Sequence, residues 1–215
     1  MISLGQTAPD FKQESSRGVI EFHKWLGDSW GILFSHPKDY TPVCTTELAA
    51  AARLMPEWEK RNVKVIGLSV DTGENHAGWE KDIEETQGQC LNFPVLADDD
   101  RAVSKLYGMI HPECDPNITV RTVFVIDPAK KVRLTMTYPP SAGRNFDEIL
   151  RVVDSLQTSD RHKVATPVNW KPGEAAIIPP SISNDEARAL FPQGWKELKP
   201  YLRIVDLPAE QMADR

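Results

Sequence analysis

Two apolar runs stand out from a largely polar chain. Trp30–Ser35 (WGILFS) and residues 63–70 (VKVIGLSV) are short and nearly continuous, the pattern of strands buried on both faces of a sheet. Between them, residues 41 to about 62 are rich in Ala, Leu and Glu and predict a helix. A polar stretch at 74–86 predicts a second helix, 93–96 a short strand and 101–107 a short helix. Residues 121–126 and 132–138 read as a strand pair around the turn Asp127-Pro128-Ala129-Lys130. The clearest helix opens at Asn145, a candidate N-cap with Glu148 three residues on. Phe146, Ile149, Leu150, Val153 and Leu156 follow at helical spacing. The order β-α-β-α-β-α-β-β-α predicts an α/β layered domain with a mixed sheet.

The pattern changes after residue 138. Nine of the 17 prolines lie from Pro139 onward, with pairs at Pro139-Pro140 and Pro179-Pro180. We read 1–160 as the folded domain and 161–215 as an extended arm with a short helix near 185–190. Trp170, Trp195 and Tyr201 give this arm more aromatic surface than water tolerates, so it is expected to wrap a second subunit in a homodimer, with larger rings as an extension.

Composition narrows the function classes. Of the 215 residues 40% are hydrophobic and 26% charged, enough apolar material for a real core. The net charge of −6 argues against capture of nucleic acid or of an anionic membrane surface. No apolar run is long enough to span a bilayer. The first ten residues lack the basic and apolar regions of a secretory signal, so a cytoplasmic location is expected. Three cysteines, Cys44, Cys90 and Cys114, are too few for a disulfide scaffold, and no C-x-x-C pair occurs.

The chemistry concentrates in Ser35-His36-Pro37-Lys38-Asp39-Tyr40-Thr41-Pro42-Val43-Cys44-Thr45-Thr46-Glu47. Thr41 suits an N-cap and Pro42 the first helical position, which places Cys44 in the first turn of a helix. Free backbone N–H groups and the positive end of the helix dipole favour a thiolate there, the state in which sulfur is a nucleophile. The alternative for a lone cysteine is a small buried hydrophobe.

Pro37, Thr41 and Cys44 form P-x-x-x-T-x-x-C at a strand-to-helix junction, and this segment resembles the active-site signature of the peroxiredoxins. Arg121, opening Arg-Thr-Val-Phe-Val-Ile-Asp, is similar to the family's strand arginine that faces the reactive sulfur. Residues 143–151 (GRNFDEILR) and the long C-terminal arm resemble the one-cysteine branch. The resemblance implies a thioredoxin-like fold and a thiol-dependent peroxidase acting on hydrogen peroxide and organic hydroperoxides, with no metal or organic cofactor. It implies Cys44 as nucleophile passing through a sulfenic acid, with Thr41 and the Val43 and Cys44 N–H groups touching the peroxide. Arg121 would stabilise the developing charge, Pro37 would shape and shield the loop, and Glu47 would hold Arg121. His36 and Arg144 stand nearby, each with either a supporting or a purely structural role.

The resolving cysteine of many peroxiredoxins lies in a Val-Cys-Pro motif, and Thr166 stands there in Val164-Ala165-Thr166-Pro167. An external thiol or other small reductant is therefore expected to reduce the enzyme. His111 and Cys114 have ligand-like spacing but are too few for a zinc site. Two rival readings remain. Gly27-Asp28-Ser29-Trp30-Gly31 fits G-x-S-x-G, the elbow of serine hydrolases, and Ser29 with His23 matches part of a phospholipase set reported in mammalian relatives. The third position is Ala129, with Asp127 two residues earlier, and Ser29 precedes its strand instead of following it. The other rival is a thioredoxin-like holdase whose thiol only senses peroxide.

Overall fold

The computed structural model describes residues 2–207. A two-stranded ribbon, β1 (Lys12–Gln13) and β2 (Ile20–Glu21), leads through α1 (Phe22–Leu26) into β3 (Trp30–Ser35). There follow α2 (Pro42–Arg53), α3 (Met55–Lys60), β4 (Val63–Ser69), α4 (Gly73–Gln87), β5 (Val95–Ala97), α5 (Ala102–Leu106), β6 (Arg121–Ile126) and β7 (Val132–Tyr138). The long α6 spans Phe146–His162, and beyond it lie β8 (Ala176–Ile178), α7 (Asn184–Leu190), β9 (Lys196–Lys199) and β10 (Leu202–Val205).

The central sheet runs β5-β4-β3-β6-β7. β4 pairs parallel with β3 and β5, whereas β6 pairs antiparallel with β3 and β7, giving the expected mixed sheet. Every residue of β3 and β6 is buried, which explains the apolar runs at 30–34 and 123–126. Ile2, Ile20, Phe22, Leu33, Ile66, Tyr107, Phe124 and Ile126 belong to one core cluster. This core fixes the C-terminal end of β3, from which the chain turns into α2.

The helix expected from 41 to 62 is two helices, broken at Leu54. Pro56 is the cause, because its ring excludes the carbonyl four residues back and it has no N–H to donate. Proline is tolerated in the first turn of α3 for the same reason.

Compactness divides the chain into Met1–Phe146 and Asp147–Arg215, where composition had placed the boundary after residue 160. The C-terminal unit is more than an extended arm. β8, β10 and β9 form a three-stranded antiparallel sheet, and Val164, Ala176, Ile178, Ala187, Phe191 and Val205 form its own apolar cluster. These strands are three or four residues long, too short for an alternating pattern to announce them. α7 is closed by a capping box between Ser183 and Glu186. The aromatic surface is also smaller than expected. Trp170 is buried and donates its indole N–H to the Glu174 carbonyl, Trp195 packs on the cluster, and only Tyr201 is largely exposed.

Candidate active site

The loop after β3 carries Pro37, and α2 begins at Pro42 with Thr41 in the N-cap position. Thr41 does not cap with its side chain: its hydroxyl donates to the Lys38 carbonyl at 2.8 Å. The N–H groups of the first helical turn are thus left without a side-chain cap, facing the start of the helix where Cys44 lies. Cys44 is fully buried. Tyr40, just before the cap, has φ +54°, a left-handed backbone that a tyrosine adopts only under constraint. Its hydroxyl lies over Gly78 of α4, where any Cβ would collide with it.

Arg121, at the first position of β6, donates from Nη1 to Cys44 Sγ at 3.3 Å and to Glu47 Oε2 at 2.7 Å. Its Nε and Nη2 both donate to the Pro140 carbonyl, at 3.1 and 2.7 Å, which fixes the plane of the guanidinium. Glu47 sits one turn after Cys44 and is buried. Its other partner is Arg144, whose backbone N–H and Nε donate to Oε1 at 2.7 and 3.0 Å and whose Nη2 donates to Oε2 at 2.7 Å. Arg144 also donates to the Ser35 carbonyl at 2.8 Å and stacks over the Phe34 ring.

Burial pushes the Glu47 carboxyl up, but the bonds and charge of Arg144, then the charge of Arg121, outweigh it and hold the group below its usual range. Burial is likewise the largest influence on Arg144, lowering its pKa against the pull of Glu47. The set of two guanidiniums and one carboxylate carries a net charge of +1, which a thiolate at Cys44 would balance in an otherwise desolvated place.

Five residues singled out in the sequence therefore fall in one region of the fold. Cys44, Glu47 and Arg121 share hydrogen bonds, while Thr41 and Pro37 lie in the loop leading to them, Pro37 buried. Sequence reasoning left Arg144 undecided, and the structure makes it the main holder of Glu47. It missed the Pro140 carbonyl, because a backbone group has no residue signature.

A second buried set lies on the same loop. Asp39 accepts from His36 Nε2 at 2.7 Å on one oxygen and pairs with His76 Nδ1 at 2.6 Å on the other. Its N–H donates to Asp71 at 2.9 Å, and Ser69 donates to both carboxylates. Burial pushes the Asp39 carboxyl up, but the two histidine bonds prevail and hold it at about 2. Among the described residues, His36, Asp39 and Asp71 bring possible cation ligands within 4.8 Å of one another. The hydrogen bonds just given account for that proximity without an ion. Asp39 and His76 stand 37 residues apart, so no local spacing could have linked them.

The remaining cysteines are exposed, and none of the three is in a disulfide. A hydrogen bond with Glu84 raises the thiol pKa of Cys90. Thr166, at the resolving position, shares a 2.6 Å hydrogen bond with Ser155. The serine-hydrolase set is not assembled as a relay. Ser29 donates to Asn62 at 2.9 Å, His23 bonds the Ala8 carbonyl, and Asp127 accepts from Lys131 and Arg133.

The AhpC/TSA family profile matches residues 4–135, and the profile of the C-terminal domain of 1-Cys peroxiredoxin matches 155–194. A 1-Cys peroxiredoxin of Dictyostelium discoideum is 52% identical over 207 residues, 96% of this chain and 86% of the relative. The chain belongs to the peroxiredoxins, in their 1-Cys branch. Peroxiredoxin-6 of Mus musculus is also 52% identical, over 95% of this peroxiredoxin and 97% of the relative. Among solved structures, a yeast mitochondrial 1-Cys peroxiredoxin superposes with a TM-score of 0.91 at 50% identity, covering 96% of this chain and all of that one. Peroxiredoxin 6 of Arenicola marina gives 0.90 at 42% identity, covering 97% and 99%. The fold is thioredoxin-like and the protein is a thiol-dependent peroxidase, an antioxidant oxidoreductase; the comparisons do not favour the phospholipase or holdase readings.

Proposed function

We propose that Cys44 is the peroxidatic nucleophile, and that this peroxiredoxin reduces hydrogen peroxide and small organic hydroperoxides through it. The observation that carries the reading is the Arg121 Nη1 contact to Cys44 Sγ at 3.3 Å, inside a buried set whose charge a thiolate completes. The Cys44 thiolate attacks one oxygen of ROOH; an S–O bond forms, the O–O bond breaks, and RO⁻ departs to take up a proton as ROH. Sulfur is oxidised to a sulfenic acid while the peroxide is reduced. Arg121 faces the charge that grows on the leaving oxygen, with its guanidinium already oriented by Glu47 and Pro140. The Thr41 hydrogen is committed to Lys38, so its lone pairs accept a hydrogen bond from the peroxide. The Val43 and Cys44 N–H groups polarise the oxygens, and Pro37 shapes and shields the loop.

An external thiol then attacks the sulfenic sulfur, releasing water and leaving a mixed disulfide, which a second thiol cleaves to restore Cys44. The yeast relative was solved in work on thiol resolution through glutathione and thioredoxin systems, which supports thiols of that class as reductants. We further place the protein in the cytoplasm as a homodimer using the C-terminal unit; the exposed Tyr201 and Val168 support a partner surface there. Among the described residues no helix is long and apolar enough to cross a membrane.

The test is sulfenic acid trapping with dimedone during peroxide turnover, read by peptide mass. The label is expected on the Cys44 peptide and absent in Cys44→Ser. Label on Cys90 or Cys114 with activity retained in Cys44→Ser would overturn the assignment.

A further inference from the structure

We propose that His76 is a positioning residue of the peroxidase site, acting as an imidazolium that clamps Asp39 and thereby holds the loop of residues 36–41 in the shape that presents Thr41 and Cys44. The proposal rests on the reading of Cys44 as peroxidatic nucleophile.

The proton count comes from hydrogen-bond partners. His76 Nδ1 meets an Asp39 carboxylate oxygen at 2.6 Å, and His76 Nε2 meets the Leu96 carbonyl at 3.1 Å. Both partners only accept, so both ring nitrogens carry hydrogen and the ring is cationic. Its surroundings agree. Burial pushes His76 down, but the bond and charge of Asp39, the Leu96 carbonyl and the charge of Asp71 together raise its pKa. The groups facing it are Asp39 and His36 from the loop, Asp71 after β4 and the Leu96 carbonyl of β5. His36 supplies no competing charge: burial first, then the charges of His76 and Arg144, lower its pKa against the pull of Asp39.

The mechanical consequence follows from where Asp39 stands. One oxygen holds His36 at the exit of β3, the other holds His76 on α4, and its N–H is tied to Asp71. The next residue is the left-handed Tyr40, and the one after is Thr41 at the N-cap. A strained backbone persists only where its neighbours fix it, and these anchors are all buried. Without the His76 charge, Asp39 is a buried carboxylate short of a counter-ion, and the loop relaxes. A displacement of about 1 Å at a reacting group costs up to roughly a hundredfold in rate.

For a histidine whose pKa folding raises, the stabilisation is complete below about 6.5, the ordinary value, and is lost as pH rises through the raised value. The clamp is therefore set at pH below the ordinary histidine value and released as pH rises through the raised one.

Two measurements on the full-length reduced protein test this. In the first, 15N NMR of the His76 ring, assigned through its couplings, is expected to show both nitrogens protonated at about pH 7.5, where an ordinary histidine is mostly neutral. A neutral ring with one bare nitrogen would overturn the proposal. In the second, rapid mixing gives the rate of Cys44 oxidation against pH for wild type and His76→Asn. Asparagine keeps a donor toward Asp39 but cannot titrate. The wild type is expected to be faster by about tenfold at neutral pH, with the ratio closing toward one as His76 deprotonates. A merely structural role would lower thermal stability and leave the ratio independent of pH, and that outcome also overturns the proposal. Failure of wild-type Cys44 to react with peroxide would instead sink the proposed function, and the NMR result would still report on His76.

Discussion

Cys44 and Cys90 are the same chemical group in opposite surroundings. Cys44 is buried with a guanidinium 3.3 Å from its sulfur, in a set left one positive charge in excess. Cys90 is exposed, with the Glu84 carboxylate against it and its thiol pKa raised. Accessibility alone would favour Cys90 as the reactive thiol. Charge favours Cys44, and for peroxide chemistry charge decides, because the thiolate is the attacking species and negative charge grows on the departing oxygen.

The largest effect should come from removing the sulfur itself. Cys44→Ser is expected to abolish thiol-dependent peroxide consumption, while Cys90→Ser and Cys114→Ser retain most of it. Peroxide given without thiol should add two or three oxygens to the Cys44 peptide, with little covalent dimer on a non-reducing gel. A stoichiometric disulfide from Cys44 to either other cysteine, with activity preserved, would erase the contrast between them.

The next largest should be Glu47→Gln. Losing the carboxylate between two buried arginines leaves uncompensated charge and is expected to cost about 3–5 kcal/mol, read as a fall in denaturation midpoint. Folding lowers the Glu47 pKa, so its contribution is present above the ordinary carboxylate value and is lost as pH falls through the lowered one. Acid unfolding of the variant should lack that component. An unchanged midpoint would show that Glu47 does not hold the arginines.

Arg121→Lys tests geometry apart from charge. Lysine keeps the charge but cannot bond Cys44, Glu47 and Pro140 from one planar group, so the second-order rate with peroxide should fall by roughly ten- to a hundredfold with stability less affected. Wild-type kinetics would remove Arg121 from the mechanism. The smallest effect belongs to Cys90: Glu84→Gln removes the carboxylate that suppresses its thiolate, and alkylation of Cys90 should speed up modestly with peroxidase activity unchanged.

The sequence was most legible where one local rule had no competitor. β3 and β6 fall on their predicted residues because strands buried on both faces leave little choice, and β7 follows from the turn at 127–130 that pairs it with β6. The single helix expected across α2 and α3 failed on one residue, Pro56, inside an otherwise helical composition. The C-terminal sheet was hidden by strands shorter than the period needed to detect them. At the site, the Pro37, Thr41 and Cys44 frame was visible because its parts are close in sequence. The Asp39–His76 pair was not, and the fold alone brings it together.

The Glu47 network also has a meaning in the time course of folding. Its bonds join α2 to residues 74 and 97 positions later, and the Cys44–Arg121 contact spans 77. A chain emerging from the ribosome has Cys44 early and Arg121 and Arg144 late. Until β6 has paired and the segment carrying Arg144 has docked, Cys44 has neither the Arg121 contact nor the Glu47 network beside it. Such high-separation contacts form slowly, so the surroundings proposed to make Cys44 reactive are complete only in a chain folded through residue 144.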